Sequence, residues 1–364
     1  MRRVAVCLSS LLTVLSVSAQ STDDLLKQVI EKNKMPGVVA LLWKDGAVVT
    51  SGAAGVRRHG KPEPLLVDDK MHIGSCNKAI TSTLAAIYVR QGKLTWDTTL
   101  EQAAPDLAPR LDPSWRSITL KQALSHSAGL PANPPMGDLL KLRSMNDRPA
   151  AARTQTIESL ASKPLPGKPG DFLYSNVGYV VAAIMMEAVS GETYEDAIVA
   201  RVFKPLGVES VGFGPPKEVF GHATPTTSIL PGPAADNPAA YAPAGTLHMS
   251  LPDWMKVIAI HLKPERAAVL GLTAEDIRTL HTAVAKMDAR GDSTDGYALG
   301  WMTTTRPWAS GPVITHAGSN TVFFAVAWCS PEDDLAVLVA TNSAPAFGAA
   351  GCDEIAARLL LSKR

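Results

Sequence analysis

Apolar side chains recur at Leu25, Leu26, Val29 and Ile30, the spacing of a helix with one buried face, and Thr22 or Asp23 stands where its cap belongs. Pro36-Gly37 ends that helix. Val38 to Trp43 reads as a strand, Asp45-Gly46 as a hairpin turn, and Ala47 onward as the returning strand. The far end of the chain repeats this grammar. Tyr297–Thr304, Val313–Thr315, Thr321–Trp328 and Leu335–Ala340 read as strands, with Pro331 to Asp334 turning the last two into a hairpin. A final helix is expected from about Asp353 to Leu361, starting near the Gly351 break. Short connections make neighbouring strands antiparallel, so both termini feed one sheet, with the first and last helices free to cover it.

The middle of the chain has a different period. Ser75–Arg90, Leu120–Ser125, Gly178–Val189, Leu251–Leu262 and Thr273–Ala285 read as helices. Between them run Pro- and Gly-rich loops, notably Leu165–Gly170 and Gly212–Pro243, the latter long enough to suggest a functional or mobile segment. The expected fold class is α+β, an antiparallel sheet flanked by helices and interrupted by a mostly helical inserted lobe. The sheet lobe takes about 20–72 and 290–364, and the helical lobe about 73–289. A cleft between two such lobes is a natural site.

Arg2 and Arg3, the apolar run Val4–Val17 and the small residues Val17-Ser18-Ala19 come in the order of a secretory signal, so residues 1–19 are expected to be removed and the rest to work outside the cytoplasm, secreted or periplasmic. No later stretch is long and apolar enough to span a bilayer. The formal net charge of +1, without basic runs, points to neither nucleic acid nor an anionic membrane, and it specifies no oligomeric state. Beyond the signal lie Cys76, Cys329 and Cys352. Three is not a disulfide framework, and a Cys329–Cys352 bridge is one arrangement open to them. No CxxC, HExxH or paired-His run suggests a metal, and no cofactor is expected.

The chemistry concentrates at the start of the Ser75 helix. A serine hydroxyl needs a base within hydrogen-bond reach and donors for the developing oxyanion. Ser75 and Lys78, three apart, share a helix face, and the partial positive charge of the helix N-terminus makes the lysine easier to deprotonate. SxxK alone is a weak signal. Tyr174-Ser175-Asn176 before a helix and His316-Ala317-Gly318 after a strand strengthen it, since each occurs once. Cys76 is turned about 100° away on the helix and reads as packing. Asp236-Asn237, in the long loop, reads equally as cleft lining or as a turn.

The three patterns together resemble the set of penicillin-recognising serine enzymes. The chain is similar to the β-lactamase-related family that includes class C β-lactamases, D-amino-acid peptidases and family VIII-type esterases. The likeness covers nearly all of the mature chain. It runs from Ile73–Lys78 through Leu124–Leu130, Pro166–Gly191, Phe203–Gly207 and Ala242–Gly245 to Gly296–Trp301. The resemblance implies Ser75 as nucleophile, with Lys78 and Tyr174 sharing the proton work. Asn176 contacts the substrate or orients Lys78. The backbone N–H groups of Ser75 and Ser319 form an oxyanion hole, with His316, Gly318 and Ser319 on the substrate-binding strand. His126 is then a scaffold residue.

The function implied is acyl transfer to water from a small-molecule ester, amide or peptide. A D-alanyl or D-amino-acid peptidase and a β-lactamase remain alternatives within that chemistry, and a non-catalytic penicillin-binding-like sensor is the alternative outside it. His316 stands where a class C β-lactamase has lysine. A histidine with an ordinary pKa near 6.5 is mostly uncharged at neutral pH, so the expectation is that small esters outperform β-lactams, which carry a carboxylate, and that β-lactam turnover improves as His316 titrates. The GxSxG elbow of an α/β-hydrolase is not in the sequence, and Cys76 has no supporting histidine for a cysteine hydrolase.

Overall fold

The structure is a computed structural model that describes residues 21–287 and 295–362. The expected signal over 1–19 lies outside the described residues. In chain order the strands are β1 (Gly37–Lys44), β2 (Ala47–Gly55), β3 (Met71–His72), β4 (Gly212–Phe213), β5 (Gly221–Thr224), β6 (Thr227–Ile229), β7 (Leu247–Met249), β8 (Ala285–Lys286), β9 (Gly296–Tyr297), β10 (Met302–Thr304), β11 (Val313–Ser319), β12 (Phe324–Ser330) and β13 (Leu335–Thr341). Eight form one antiparallel sheet in the order β2-β1-β13-β12-β11-β10-β9-β8. The first and last strands in chain order pair within it, one strand in from the β2 edge, where Leu41 faces Leu338 across β1 and β13. The α+β class read from the sequence is what the fold shows.

Both faces of the sheet are buried along β1, β12 and β13, and the alternation along these strands divides the core in two. Val38, Ala40 and Leu42 of β1, with Val337 and Val339 of β13, pack under the first helix (Thr22–Asn33) and the last (Pro345–Leu361). Val39, Leu41, Leu338 and Ala340 face the other way, into a larger core shared with the Asn77–Arg90, Asn176–Ser190 and Leu251–Leu262 helices. The Leu251–Leu262 helix, from within the helical stretch, lies directly on β1 and β13.

Several boundaries differ from the sequence reading, each for a physical reason. The last helix begins at Pro345 rather than near Asp353. Gly348 and Gly351 do not break it; they let it approach closely, since a Cβ on Gly348 would lie 2.7 Å from Thr341 Cγ2 and one on Gly351 would strike Met35 Sδ. The expected Tyr297–Thr304 strand is split into β9 and β10 because Gly300, at φ +80°, brings the chain against the backbone of Lys78 and Ala79. The Thr273–Ala285 helix stops at His281, and Ala285 pairs with Tyr297 as an edge strand. The long Gly212–Pro243 loop contains β4 and the β5–β6 hairpin. Cys329 and Cys352 sit in the cores on opposite faces of the sheet, and all three described cysteines are free, so the bridge left open by the sequence does not form.

Candidate active site

Ser75 lies in a 3-10 turn, Gly74–Cys76, that runs straight into the Asn77–Arg90 helix. Residues Asn77 to Tyr88 of that helix are all buried, so it forms the axis of the helical core rather than an amphipathic wall. Its N-terminus abuts β11, which extends to Ser319, so His316, Ala317 and Gly318 lie within the strand and not after it. The approach is too close for side chains. Gly74 has φ +51°, and a Cβ there would collide with Ser319 N; one on Gly318 would lie 2.6 Å from Ser75 N. Two glycines therefore bring the amides of Ser75 and Ser319 to one spot, as an oxyanion hole requires.

Lys78 is fully buried, and its Nζ has three neighbours: Ser75 Oγ at 2.9 Å, Asn176 Oδ1 at 2.7 Å and Ala244 O at 2.8 Å. Asn176 Oδ1 and Ala244 O can only accept. A neutral amine gives its two hydrogens to these and has its lone pair left for the Ser75 proton. Burial is the largest influence on the lysine, lowering its pKa from 10.5 to about 7. Ala244 belongs to a run of three carbonyls that cap the helix from the side. Ala242 O accepts from Asn77 Nδ2, Pro243 O from Thr81 Oγ1 at 2.7 Å, and Ala244 O from Lys78.

Tyr174 and Asn176 arrive on the loop ahead of the Asn176–Ser190 helix, where Ser175 is the N-cap and its hydroxyl accepts from Gly178 N. His126 holds that loop. It sits at φ +59°, its carbonyl accepts from Leu173 N and its Nδ1 accepts from Ser175 N at 3.0 Å, while its ring packs 4.2 Å from Tyr174 and 4.4 Å from Tyr297. This is the scaffold position the sequence suggested. Burial raises the Tyr174 pKa well above its ordinary value, with a hydrogen-bond interaction from the Ser75 side chain opposing the shift, and Lys78 Nζ stands 4.9 Å from the ring centre. Asn176 Nδ2 donates to Asn133 Oδ1 at 2.9 Å, which fixes which end of the amide meets Lys78.

His316 is buried, not presented to the cleft. Its Nδ1 donates to Ala317 O at 2.6 Å, and Nε2 accepts from Tyr297 Oη at 3.1 Å. Burial, helped by the nearby Lys78, lowers its pKa to about 3. The expectation of a titration near 6.5 is corrected: burial shifts it well down and keeps the ring neutral at pH 7. Ala317, beside it, is exposed, and Ser75, Tyr174, Asn176 and Ser319 are half-buried. Cys76 is buried, and its thiol donates to His316 O at 3.2 Å, a packing role.

All the residues singled out as catalytic or substrate-binding thus gather at one place: Ser75, Tyr174, Asn176 and Ser319 half-buried, with Lys78, Gly318 and His316 buried behind them. Sequence reasoning missed Asn133, the Ala244 carbonyl and the Tyr297 hydroxyl. Two of these lie in segments the resemblance had marked, but a backbone carbonyl and a loop asparagine carry no pattern of their own. Among the described residues no group of three or more His, Cys, Asp or Glu is placed to hold a metal ion, and no helix is long and apolar enough to cross a membrane.

Known proteins resemble this chain to different extents. The chain is 30% identical over 209 residues to a lovastatin esterase of Penicillium rubens, covering 53% of this chain and 52% of the esterase. It is 23% identical over 335 residues to Protein flp of Staphylococcus aureus, covering 89% of this chain and 63% of flp. The chain therefore spans about half to just under two thirds of the length of these relatives. Among solved structures, an octameric penicillin-binding protein homologue from Pyrococcus abyssi superposes with a TM-score of 0.73 at 24% identity, over 93% of this chain and 76% of that one. A D-stereospecific amidohydrolase from Streptomyces sp. gives a TM-score of 0.73 at 20% identity, over 92% and 97%. The family model described as Beta-lactamase matches residues 22–361, nearly everything after the expected signal, and the chain belongs to the Beta-lactamase family.

Proposed function

We propose that this chain is an exported serine hydrolase that cleaves esters without a carboxylate through an acyl-enzyme on Ser75. The observation that carries the reading is the environment of Lys78: a buried amine, neutral in about half of the molecules near pH 7, with its lone pair free for the Ser75 hydroxyl. In the proposed reaction Lys78 Nζ takes the Ser75 proton as Oγ attacks the substrate carbonyl. The tetrahedral oxyanion accepts from Ser75 N–H and Ser319 N–H. The intermediate collapses, the alkoxide leaving group departs with a proton from the Lys78–Tyr174 pair, and water repeats the cycle on the acyl-enzyme. Tyr174, held protonated by burial, suits the donor role and Lys78 the base.

A preference for substrates lacking a carboxylate is supported by His316, since a neutral ring turned towards Tyr297 offers no charge-assisted hydrogen bond. The lovastatin esterase relative fits an ester substrate; the D-stereospecific amidohydrolase keeps an amide as the second reading. Export rests on the signal-like residues 1–19 and is tested by N-terminal sequencing of secreted protein, with a mature start near Gln20 expected. The mature protein should label with a fluorophosphonate on the Ser75 peptide alone and hydrolyse p-nitrophenyl acetate faster than nitrocefin or a D-Ala-D-Ala peptide. Ser75→Ala should abolish label and turnover. Labelling that persists in Ser75→Ala, or nitrocefin as the best substrate, refutes the reading.

A further inference from the structure

One buried polar chain behind the site has no part in the proton path. His72, on β3, ends two residues before Gly74 and is fully buried. Its Nδ1 accepts from Gly74 N at 3.0 Å. A backbone N–H can only donate, so Nδ1 is bare and the ring proton is on Nε2. That nitrogen faces the Asp236 carboxylate at 3.0 and 3.1 Å from its two oxygens. Asp236 Oδ1 also accepts from Asn237 N at 2.7 Å and from Asn320 Nδ2 at 3.2 Å. Asn320 in turn donates to Ala235 O at 2.9 Å, and its Oδ1 accepts from Phe323 N at 3.0 Å and Val322 N at 3.3 Å. Asp236 and Asn320 are each less than 5% exposed.

The two ends of this chain are informative. Gly74 N–H precedes the Ser75 amide by one residue, and Asn320 follows Ser319 by one. These are the two peptide segments that carry the oxyanion donors, and they come from different parts of the sequence, one from the nucleophile turn and one from β11. Their backbones approach each other across Gly74 and Gly318, which supply no side chain there to set the spacing. A third segment, Ala235–Asn237 of the long loop, holds both through one carboxylate.

We infer that Asp236, acting through His72 and Asn320, is a positioning residue that fixes the Gly74–Ser75 and Ser319–Asn320 peptides relative to each other and so sets the geometry of the oxyanion hole. The inference rests on the proposed roles of the Ser75 and Ser319 amides. Its consequence is specific to the tetrahedral state. A hole with one donor displaced binds the planar ester as before but stabilises the tetrahedral adduct less, and small displacements of catalytic groups cost about 10²-fold.

The test uses the mature protein with p-nitrophenyl acetate, and phenylboronic acid as the mimic of the tetrahedral adduct. Asp236→Ala and His72→Gln should lower kcat by about 10- to 100-fold, with KM within threefold, and should weaken phenylboronic acid by a similar factor. Asp236→Asn, which keeps an oxygen to accept from His72 Nε2–H, should recover kcat to within about fivefold of wild type. Circular dichroism melts report folding. If Asp236→Ala does not fold, Asn320→Ala, which cuts the second arm alone, should show the same loss in kcat and in boronate affinity. Unchanged kcat in the folded variants, or a loss confined to KM with boronate affinity intact, overturns the inference. Turnover that survives Ser75→Ala would instead overturn the functional reading beneath it, so the two failures are distinguishable.

Discussion

Changing Asn176 to Asp places a carboxylate where an amide oxygen now stands 2.7 Å from Lys78 Nζ. The substitution is nearly isosteric and leaves Ser75, Tyr174 and the Ala244 carbonyl in place. Two unit charges about 3 Å apart at an effective dielectric constant of about 20 attract by roughly 5–6 kcal/mol. Burying the new carboxylate takes back part of that, so we use about half, which corresponds to a rise of about two pKa units at 1.36 kcal/mol each. Lys78 would then move from about 7 to about 9, reversing much of the effect of its burial. The proposed base is the neutral amine, so the sign follows directly: a higher pKa leaves less of it at a given pH.

At pH 7 the neutral fraction falls from about one half to about one hundredth, a loss of about 50-fold in kcat/KM; at pH 9 the loss shrinks to about twofold. The assay is the pH profile of kcat/KM from pH 5 to 9.5 with p-nitrophenyl acetate, spontaneous hydrolysis subtracted. Wild type should show an acid limb of unit slope near pH 7, and Asn176→Asp the same limb displaced by about two units. A variant whose limb stays near pH 7, or whose loss is independent of pH, refutes Lys78 as the base and leaves Asn176 as a substrate contact.

Two further outcomes follow from the same geometry. Gly318→Ala adds a Cβ that would collide with Ile73 O and lie 2.6 Å from Ser75 N, so it should cut kcat by at least 10²-fold, measured beside a melting curve; activity near wild type would mean that the strand and the nucleophile turn are not in the contact described. Because Cys76, Cys329 and Cys352 are free, a reducing agent should leave the melting temperature of the mature protein unchanged, and a fall of several degrees would reveal a disulfide.

The candidate site was legible because the side chains proposed to carry its acid–base chemistry lie in short local patterns. Ser75 and Lys78 share one helical turn, and Tyr174 and Asn176 bracket the Ser175 helix cap. What the sequence hid is contributed by backbone and by residues remote in sequence. The Ala244 carbonyl that holds Lys78 is 166 positions from it, and Tyr297, whose hydroxyl donates to His316 Nε2, is 19 positions away on another strand. The fold followed similar lines. Strands read well where apolar residues ran on, as in β1 and β13, whose two faces are both buried. Glycines misled in the last helix because Gly348 and Gly351 serve close packing there, whereas Gly300 does interrupt a strand, through a positive φ that composition alone does not disclose.

The same burial that made His316 unreadable gives the pH experiment its meaning. Lys78, His126, His316, Tyr174 and Tyr297 crowd around Ser75, and five coupled titrations would blur any profile. Desolvation separates them. His126 and His316 are driven to their neutral forms far below neutrality, and Tyr174 and Tyr297 keep their protons far above it. Lys78 alone is brought into the range where the enzyme is proposed to work. Its own charge contributes to the separation, since it is among the influences that lower both histidines. A single acid limb near pH 7 in wild type is therefore a consequence of the whole buried cluster. The cluster also bears on substrate choice. In the acylation-competent state, with Lys78 neutral, none of these five groups carries a charge, so a carboxylate brought among them would lose hydration without meeting a cation, while an ester would not.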